Sequence, residues 1–317
     1  MAIKKSELYS AIWKSCDELR GGMDASEYKN YVLTLLFIKY VTDKFKDEPY
    51  SDIIVPDGGS FDDIIACKNK PNIGEEMNKI IAKIAEENNL SGIVNSADFD
   101  DEKKIGKGNE KVEKLTNLIT IFETSFNFSK NKASGDDIIG DAYEYLMKNF
   151  ATESGKSKGQ FYTPAEVSRI MAKIIGAGKA TEASKTVYDP ACGSGGMFVQ
   201  SMKFVEAHHG NTKDVSIYGQ EMSSTTYKLA KMNLAIRGIL ADLGQKPANT
   251  FTQDQHQDLK ADFILANPPF NQKSWRKDDE LTNDERWLGY DVPPTGNANY
   301  GWILNMVSKL STNGVAA

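Results

Sequence analysis

The spacing of apolar side chains changes character near the middle of the chain. Before residue 150 it is helical. Leu8, Ile12 and Leu19, then Tyr28, Val32, Leu35, Leu36, Ile38 and Val41, recur at three- and four-residue intervals that place them on one helix face. Gly21 and Gly22 interrupt the run, and Asp24 or Ser26 can cap a second helix after them. Residues 49–60 are rich in turn formers, and amphipathic stretches follow at 73–87 and 111–126 with a charged loop at 95–110 between them. One more helix is expected at 136–150, where Ile138, Ile139, Tyr143, Leu146 and Met147 share a face.

A stretch rich in Ser, Gly and Lys at 151–159 marks a boundary. Beyond it, short β-prone runs at 185–189, 215–221, 249–253 and 261–267 alternate with helical or loop segments, and residues 314–317 look like the opening of another strand. Such alternation predicts a parallel, doubly wound α/β sheet. The expected organisation is a helical N-terminal domain, 1–150, followed by a Rossmann-like α/β domain, 151–317, whose sheet would be incomplete at its C-terminal edge.

At 317 residues the chain is long enough for two domains, and 40% hydrophobic with 26% charged residues is ordinary globular composition. No apolar run approaches the roughly 18–20 residues that span a bilayer, and no apolar core follows the first lysines as a secretory signal requires. Cys16, Cys67 and Cys192 are scattered, which argues against zinc and disulfides and favours a reducing cytoplasm. The formal net charge is −6. A protein that grips DNA unaided presents a basic footprint, so a DNA substrate here would rely on local basic loops or a partner subunit.

Thr186 to Gly196 reads as a strand entering a glycine-rich turn and then a helix. Asp189 opens the turn and Gly193, Ser194, Gly195 and Gly196 form it; glycines let the backbone approach a ligand and adopt positive φ. No Gly-Lys-Ser/Thr follows, which excludes a Walker A loop, and the spacing is not Gly-x-Gly-x-x-Gly. The Asp-Pro start suits a cationic ligand better than a phosphate. Glu221, at the end of the next strand, can accept both hydroxyls of a ribose, and Asp254 can accept from an adenine amino group.

The apolar run Phe263 to Ala266 ends in Asn267-Pro268-Pro269-Phe270. Consecutive prolines fix the backbone and remove two donors, leaving carbonyls beside an amide and an aromatic ring. The Asn267 side-chain oxygen and the Pro268 carbonyl can each accept one N–H of an amine conjugated to a ring, drawing its lone pair out of conjugation, while Phe270 stacks on the ring. Positioning then supplies most of the rate, with no covalent intermediate. Methylation at cytosine C5 would need a cysteine nucleophile here, and Cys192 lies in the glycine loop instead.

Together, Asp189 to Gly196 and Asn267 to Phe270 resemble the signature of amino-methylating DNA methyltransferases. Upstream, Gly159-Gln160-Phe161-Tyr162-Thr163-Pro164 resembles that family's remaining cofactor motif. Two further stretches, Trp13 to Phe45 with Leu19 to Lys29 inside it, and Arg286 to Trp302, narrow the likeness to modification subunits of type I restriction-modification systems. The resemblance implies S-adenosylmethionine as cofactor, with Gln160, Phe161, Tyr162, Thr163 and Pro164 against its methionine end. It implies N6 of adenine in double-stranded DNA as the methyl acceptor. It also implies two modification subunits pairing with a DNA-reading specificity subunit, and a restriction subunit for cleavage. The family continues beyond the length seen here, so the resemblance further implies a chain lacking its C-terminal part.

An adenine N6 is paired and stacked in duplex DNA, so the base must be extruded to reach Asn267. The loop 271–299 carries Lys273, Arg276, Lys277, Arg286, Trp275 and Trp287, and reads equally as a clamp on the extruded base or as a solvated loop. His208, His209 and His256 read as surface or helix-end residues. Two alternatives remain: a methyltransferase acting on protein glutamine or RNA guanine, which shares the Asn-Pro-Pro-aromatic signature but lacks this helical N-terminal segment, and a cofactor-binding chain without activity.

Overall fold

A computed structural model describes residues 5–20, 22–23, 25–48, 51, 53–129, 145, 163, 165–176, 185–208 and 210–317. The chain divides into two compact units, one of Met1–Lys158 with Ala235–Gly238, the other of Gly159–Leu234 with Ile239–Ala317.

The first unit is helical. Helix α1 (Lys5–Leu19) and helix α2 (Ala25–Phe45) flank the Gly21–Gly22 interruption. In the middle of α2, Tyr31, Val32, Leu33, Leu35, Leu36, Phe37 and Ile38 are all buried. A helix apolar on every side belongs at the centre of a bundle, and α2 contacts α1, α3 (Phe61–Ile65) and α5 (Gly108–Ser125). Helix α4 (Ile73–Glu87) packs on α3 and α5. The sequence did not predict α3. Its signal is a capping box, in which Ser60 and Asp63 satisfy each other's backbone N–H. The helix expected at 136–150 lies, apart from Tyr145, outside the described residues.

In the second unit, helix α6 (Ala165–Ile175) precedes a sheet in the order β3-β2-β1-β4-β5, parallel throughout. The strands are β1 (Lys185–Asp189), β2 (Val215–Gly219), β3 (Ala241–Asp242), β4 (Ala261–Ile264) and β5 (Leu310–Ala316). Helices α7 (Gly196–Ala207), α8 (Ser224–Ala235) and α9 (Asn299–Lys309) lie between them in sequence. Side chains on adjacent strand positions face opposite ways. Val187, Ile217 and Phe263 accordingly enter one core with Phe198 and Met202 of α7 and Ala172 of α6. Tyr188 and Ile264 enter the opposite core with Met306 of α9 and Leu310. The sheet is thus covered on both faces, the Rossmann-like doubly wound fold.

The expected strand at 249–253 is a correction. Its residues form turns, because the Asn249 carbonyl oxygen of the side chain accepts from Phe251 N–H at 2.8 Å and curls the backbone. The third strand is instead the two-residue β3, which pairs with β2. Among the described residues no helix is long and apolar enough to cross a membrane.

Candidate active site

The strand order reverses between β1 and β4, since the chain winds from β1 out to β3 and returns to the other side of β1 at β4. Loops leaving adjacent strands there diverge and open a crevice at the carboxyl ends. The predicted glycine turn and the Asn-Pro-Pro-Phe turn leave these two strands. Leu265 N–H bonds Tyr188 O at 3.1 Å, which sets Asp189 and Asn267 one and two residues beyond a shared ladder bond.

The β1 turn is tight. Gly193 and Gly195 have φ of 55° and 79°, left-handed values that favour glycine, and Gly195 caps α7. A Cβ on Gly196 would meet nothing nearer than Ser194 Oγ at 4.0 Å, so this side of the turn is open to a ligand. The Ser194 carbonyl accepts from Asn233 Nδ2 of α8 at 2.7 Å.

Two carboxylates border the turn. Asp189, 1% exposed, accepts from Ala191 N–H at 2.9 Å. Burial pushes its carboxyl up to about 8, Ala191 pulls it back in part, and the charge of Glu221 adds to the rise. Glu221 accepts from Gly193 N–H at 3.2 Å through Oε2 and from Ser223 N–H at 2.6 Å through Oε1, so it ties the β2 end to the glycine turn. Burial raises its carboxyl too. Among the described residues no cationic group offsets either acid. Two desolvated carboxylates without a cation make a site that favours a positively charged ligand.

On the β4 side, Asn267, Pro268 and Pro269 are half-buried and Phe270 is 77% exposed. Asn267 Nδ2 donates to Thr163 Oγ1 at 3.2 Å. That bond orients the amide, leaving its oxygen as the end available to accept from a ligand. It also brings Thr163 of the upstream motif to the Asn-Pro-Pro-Phe turn. Gln160, Phe161, Tyr162 and Pro164 lie outside the described residues, as does His209.

Asp254 is placed differently from the expectation. Its Oδ2 lies 2.7 Å from Lys309 Nζ in a pair with side chains 10% and 3% exposed, and its Oδ1 accepts from His256 N–H at 2.9 Å. Both oxygens thus hold partners inside the fold, and the ion pair with Lys309 gives Asp254 a structural part that the sequence does not announce. The polar side chain nearest in sequence to the β2 loop's backbone partner is Asn249, since Ala248 N–H bonds Glu221 O at 3.0 Å. The exposed Met222 beside Glu221 adds an apolar surface. His256 is also corrected: it is buried and its Nε2 lies 2.9 Å from Gly219 O. His208 does end a helix.

The loop 271–299 is anchored by part of its residues while the rest, Lys273 and Lys277 among them, are exposed. Trp275 and Trp287 are buried in a cluster with Phe251, Ala298, Trp302 and Leu304. Arg276 donates to the carbonyls of Lys277, Asp278, Glu280 and Pro293, and Arg286 is likewise engaged inside the fold. The loop's neck is closed: Asn271, with φ 53°, accepts from Asn297 and Asn299 side chains at 3.0 and 3.2 Å and donates to Asn299 Oδ1 at 2.8 Å.

A family model described as N-6 DNA Methylase matches residues 134–317, more than half of the chain. The chain belongs to the N-6 DNA methylase family. A second model, the HsdM N-terminal domain, matches residues 8–122. The chain is 45% identical over 210 residues to the type I restriction enzyme HindI methylase subunit of Haemophilus influenzae, covering 64% of this chain and 46% of the relative. It is 28% identical over 350 residues to the MjaIX methylase subunit of Methanocaldococcus jannaschii, covering 98% of this chain and 60% of the relative. The chain therefore spans between about half and two thirds of these relatives' lengths. In fold it is similar to the crystal structure of a type I restriction-modification methyltransferase subunit from Streptococcus thermophilus. The TM-score is 0.76 at 23% identity, over 99% of this chain and 74% of that one.

Proposed function

We propose that this N-6 DNA methylase transfers a methyl group from S-adenosylmethionine to N6 of adenine in double-stranded DNA, as the modification subunit of a type I restriction-modification system. The observation that carries the reading is the pairing of Asn267, its amide oriented by Thr163, with the buried Asp189 and the half-buried Glu221, two desolvated carboxylates with no offsetting cation among the described residues, at one crevice of the sheet. Bound S-adenosylmethionine would supply a methyl carried on a sulfonium, and its positive charges suit Asp189 and Glu221. Gly193, Ser194, Gly195 and Gly196 would let the backbone approach it. Glu221 would accept the ribose hydroxyls through the lone pairs its two N–H partners leave free, with Met222 beside the purine. Gln160, Phe161, Tyr162, Thr163 and Pro164 would flank the methionine end.

Asn267 Oδ1 and the Pro268 carbonyl would each accept one hydrogen of the adenine amine, pyramidalising the nitrogen toward the methyl, while Pro269 stiffens the turn. Phe270 is exposed and able to stack on the extruded base. The names of the relatives and the match to an HsdM N-terminal domain favour DNA over protein glutamine or RNA guanine. A net charge of −6 fits sequence reading by a specificity subunit, with a restriction subunit supplying cleavage. A domain boundary near residue 150, and a cytoplasmic location as a chromosomal substrate requires, belong to the same proposal.

The test mixes the chain with its specificity subunit, labelled cofactor and a duplex bearing the site. Label entering adenine N6 in DNA supports the reading. Label entering only peptide or RNA, or transfer by Asn267→Ala at the wild-type rate, defeats it.

A further inference from the structure

In sequence, Arg286 sits in a loop that reads equally as a clamp on an extruded base or as a solvated loop; its surroundings give it other work. Its side chain is 10% exposed. Nε and Nη2 grip both oxygens of Asp284, at 2.7 and 2.6 Å. Nη1 donates to Thr250 O at 2.9 Å and to Asn305 Oδ1 at 3.2 Å, and Nη2 donates to Phe251 O at 2.5 Å. The planar fork of five N–H groups is thereby used up, with none left for a phosphate.

The backbone it holds is not an arbitrary stretch. Thr250 Oγ1 donates to Pro190 O at 2.6 Å, in the turn after β1. Ala248 N–H donates to Glu221 O at 3.0 Å, after β2. Phe251 packs its ring 4.4 Å from that of Trp275 and 4.3 Å from that of Trp302, and Ala191 of the β1 turn packs on the same cluster. A single guanidinium, carried on the loop that follows the Asn-Pro-Pro-Phe turn, thus fixes a segment that touches both carboxylate-bearing loops.

We propose that Arg286 is a positioning residue of the cofactor pocket. It holds the 248–251 segment, and through it the loops of Asp189 and Glu221, in the arrangement that receives the methyl donor. The inference rests on the methyl-donor reading given above. It also predicts that ligand binding at the β1 turn reaches the indoles through Ala191 and Phe251.

Binding of S-adenosylmethionine and of S-adenosylhomocysteine to the whole chain, by calorimetry and by tryptophan emission, tests it. Arg286→Lys keeps the charge but loses the fork. With the circular dichroism of the folded protein, it should bind both compounds about 3- to 30-fold more weakly, the range of an indirect coupling, and lose the emission change. Thr250→Val removes only the bond to Pro190 and should weaken binding in the same direction, which keeps the test decisive if Arg286→Lys fails to fold. Lys309→Met, a destabilised control in the same unit, should bind within about twofold of wild type. Wild-type affinity in folded Arg286→Lys, or in Thr250→Val, overturns the proposal, as does an equal loss in Lys309→Met. A wild type that binds neither compound defeats the methyl-donor reading itself, a distinct result.

Discussion

Lys309 offers the sharpest test of how the second unit is held. Its ammonium has three hydrogens and three acceptors: Asp254 Oδ2 at 2.7 Å, His256 O at 2.5 Å and Gln257 O at 3.0 Å. The pair is buried, with Lys309 3% and Asp254 10% exposed, and it ties the end of α9 to the turns before β4. Lys309→Met keeps the aliphatic stem but strands a buried carboxylate and two carbonyls. Removing one partner of a buried pair costs about 3–5 kcal/mol. At about 2–4 °C per kcal/mol for a unit of this size, the melting temperature should fall by roughly 10 °C. A thermal melt reads that shift, and urea unfolding followed by tryptophan emission reads the free-energy loss, because three of the four tryptophans, Trp275, Trp287 and Trp302, lie in this unit. Asp254→Asn and the double variant complete the cycle. The double variant should be milder than the sum of the singles by about 1–3 kcal/mol, since removing both charges leaves neither stranded. A loss under about 1 kcal/mol for Lys309→Met, or singles that simply add, would refute the assignment of stability to this pair.

Four other outcomes follow from the site. Burial holds Asp189 at about 8 against 3.8 for a free carboxyl, so the stability it permits is intact below about pH 4 and lost as pH rises toward 8. Asp189→Asn without ligand should therefore melt higher relative to wild type at pH 8 than at pH 4.5; equal differences at both would contradict this. A cationic ligand favours the ionised acid, so cofactor binding to wild type at pH 7 should release a proton, read by calorimetry in two buffers. Its affinity should climb toward pH 8 by at most about tenfold per unit. Gly195→Ala places a side chain at φ 79° with its Cβ 3.3 Å from Leu234 Cγ. It should lose about 1–2 kcal/mol in a thermal melt, and a neutral result would show that the turn relaxes. Asn267→Ala should reduce methyl transfer by at least about 100-fold while cofactor affinity changes little; joint loss of both would assign Asn267 to binding.

Much of this architecture could be read in advance where local chemistry and tertiary context agree. β1 occupies the expected 185–189 because its apolar centre leads straight into glycines that must turn. α4 occupies the expected 73–87 because its apolar face repeats cleanly. The misplacements arise where burial, invisible in one dimension, decides. Ala241–Asp242 has little β propensity and becomes a strand by pairing with β2, while the β-prone Asn249 to Gln253 is bent by a side-chain bond. Arg276, Arg286 and two tryptophans look like a nucleic-acid surface until their partners are seen to be the protein's own carbonyls and rings. Asp254 reads as a free acid because its partner, Lys309, is distant in sequence at a helix end, where lysines ordinarily face water.

The knot of Asn271, Asn297 and Asn299 separates two demands that one stretch of chain would otherwise have to meet together. Chain leaves and re-enters through the same hydrogen-bonded gate, so the backbone that carries Phe270 is anchored at the gate itself. Exposed turns of the excursion can be recharged so long as Arg276, Arg286 and the two buried indoles keep their partners inside the fold. That makes the exposed side chains of Leu288 and Tyr290 a natural place to graft new contacts, with the packing of the neighbouring Arg286 and Trp287 left in place.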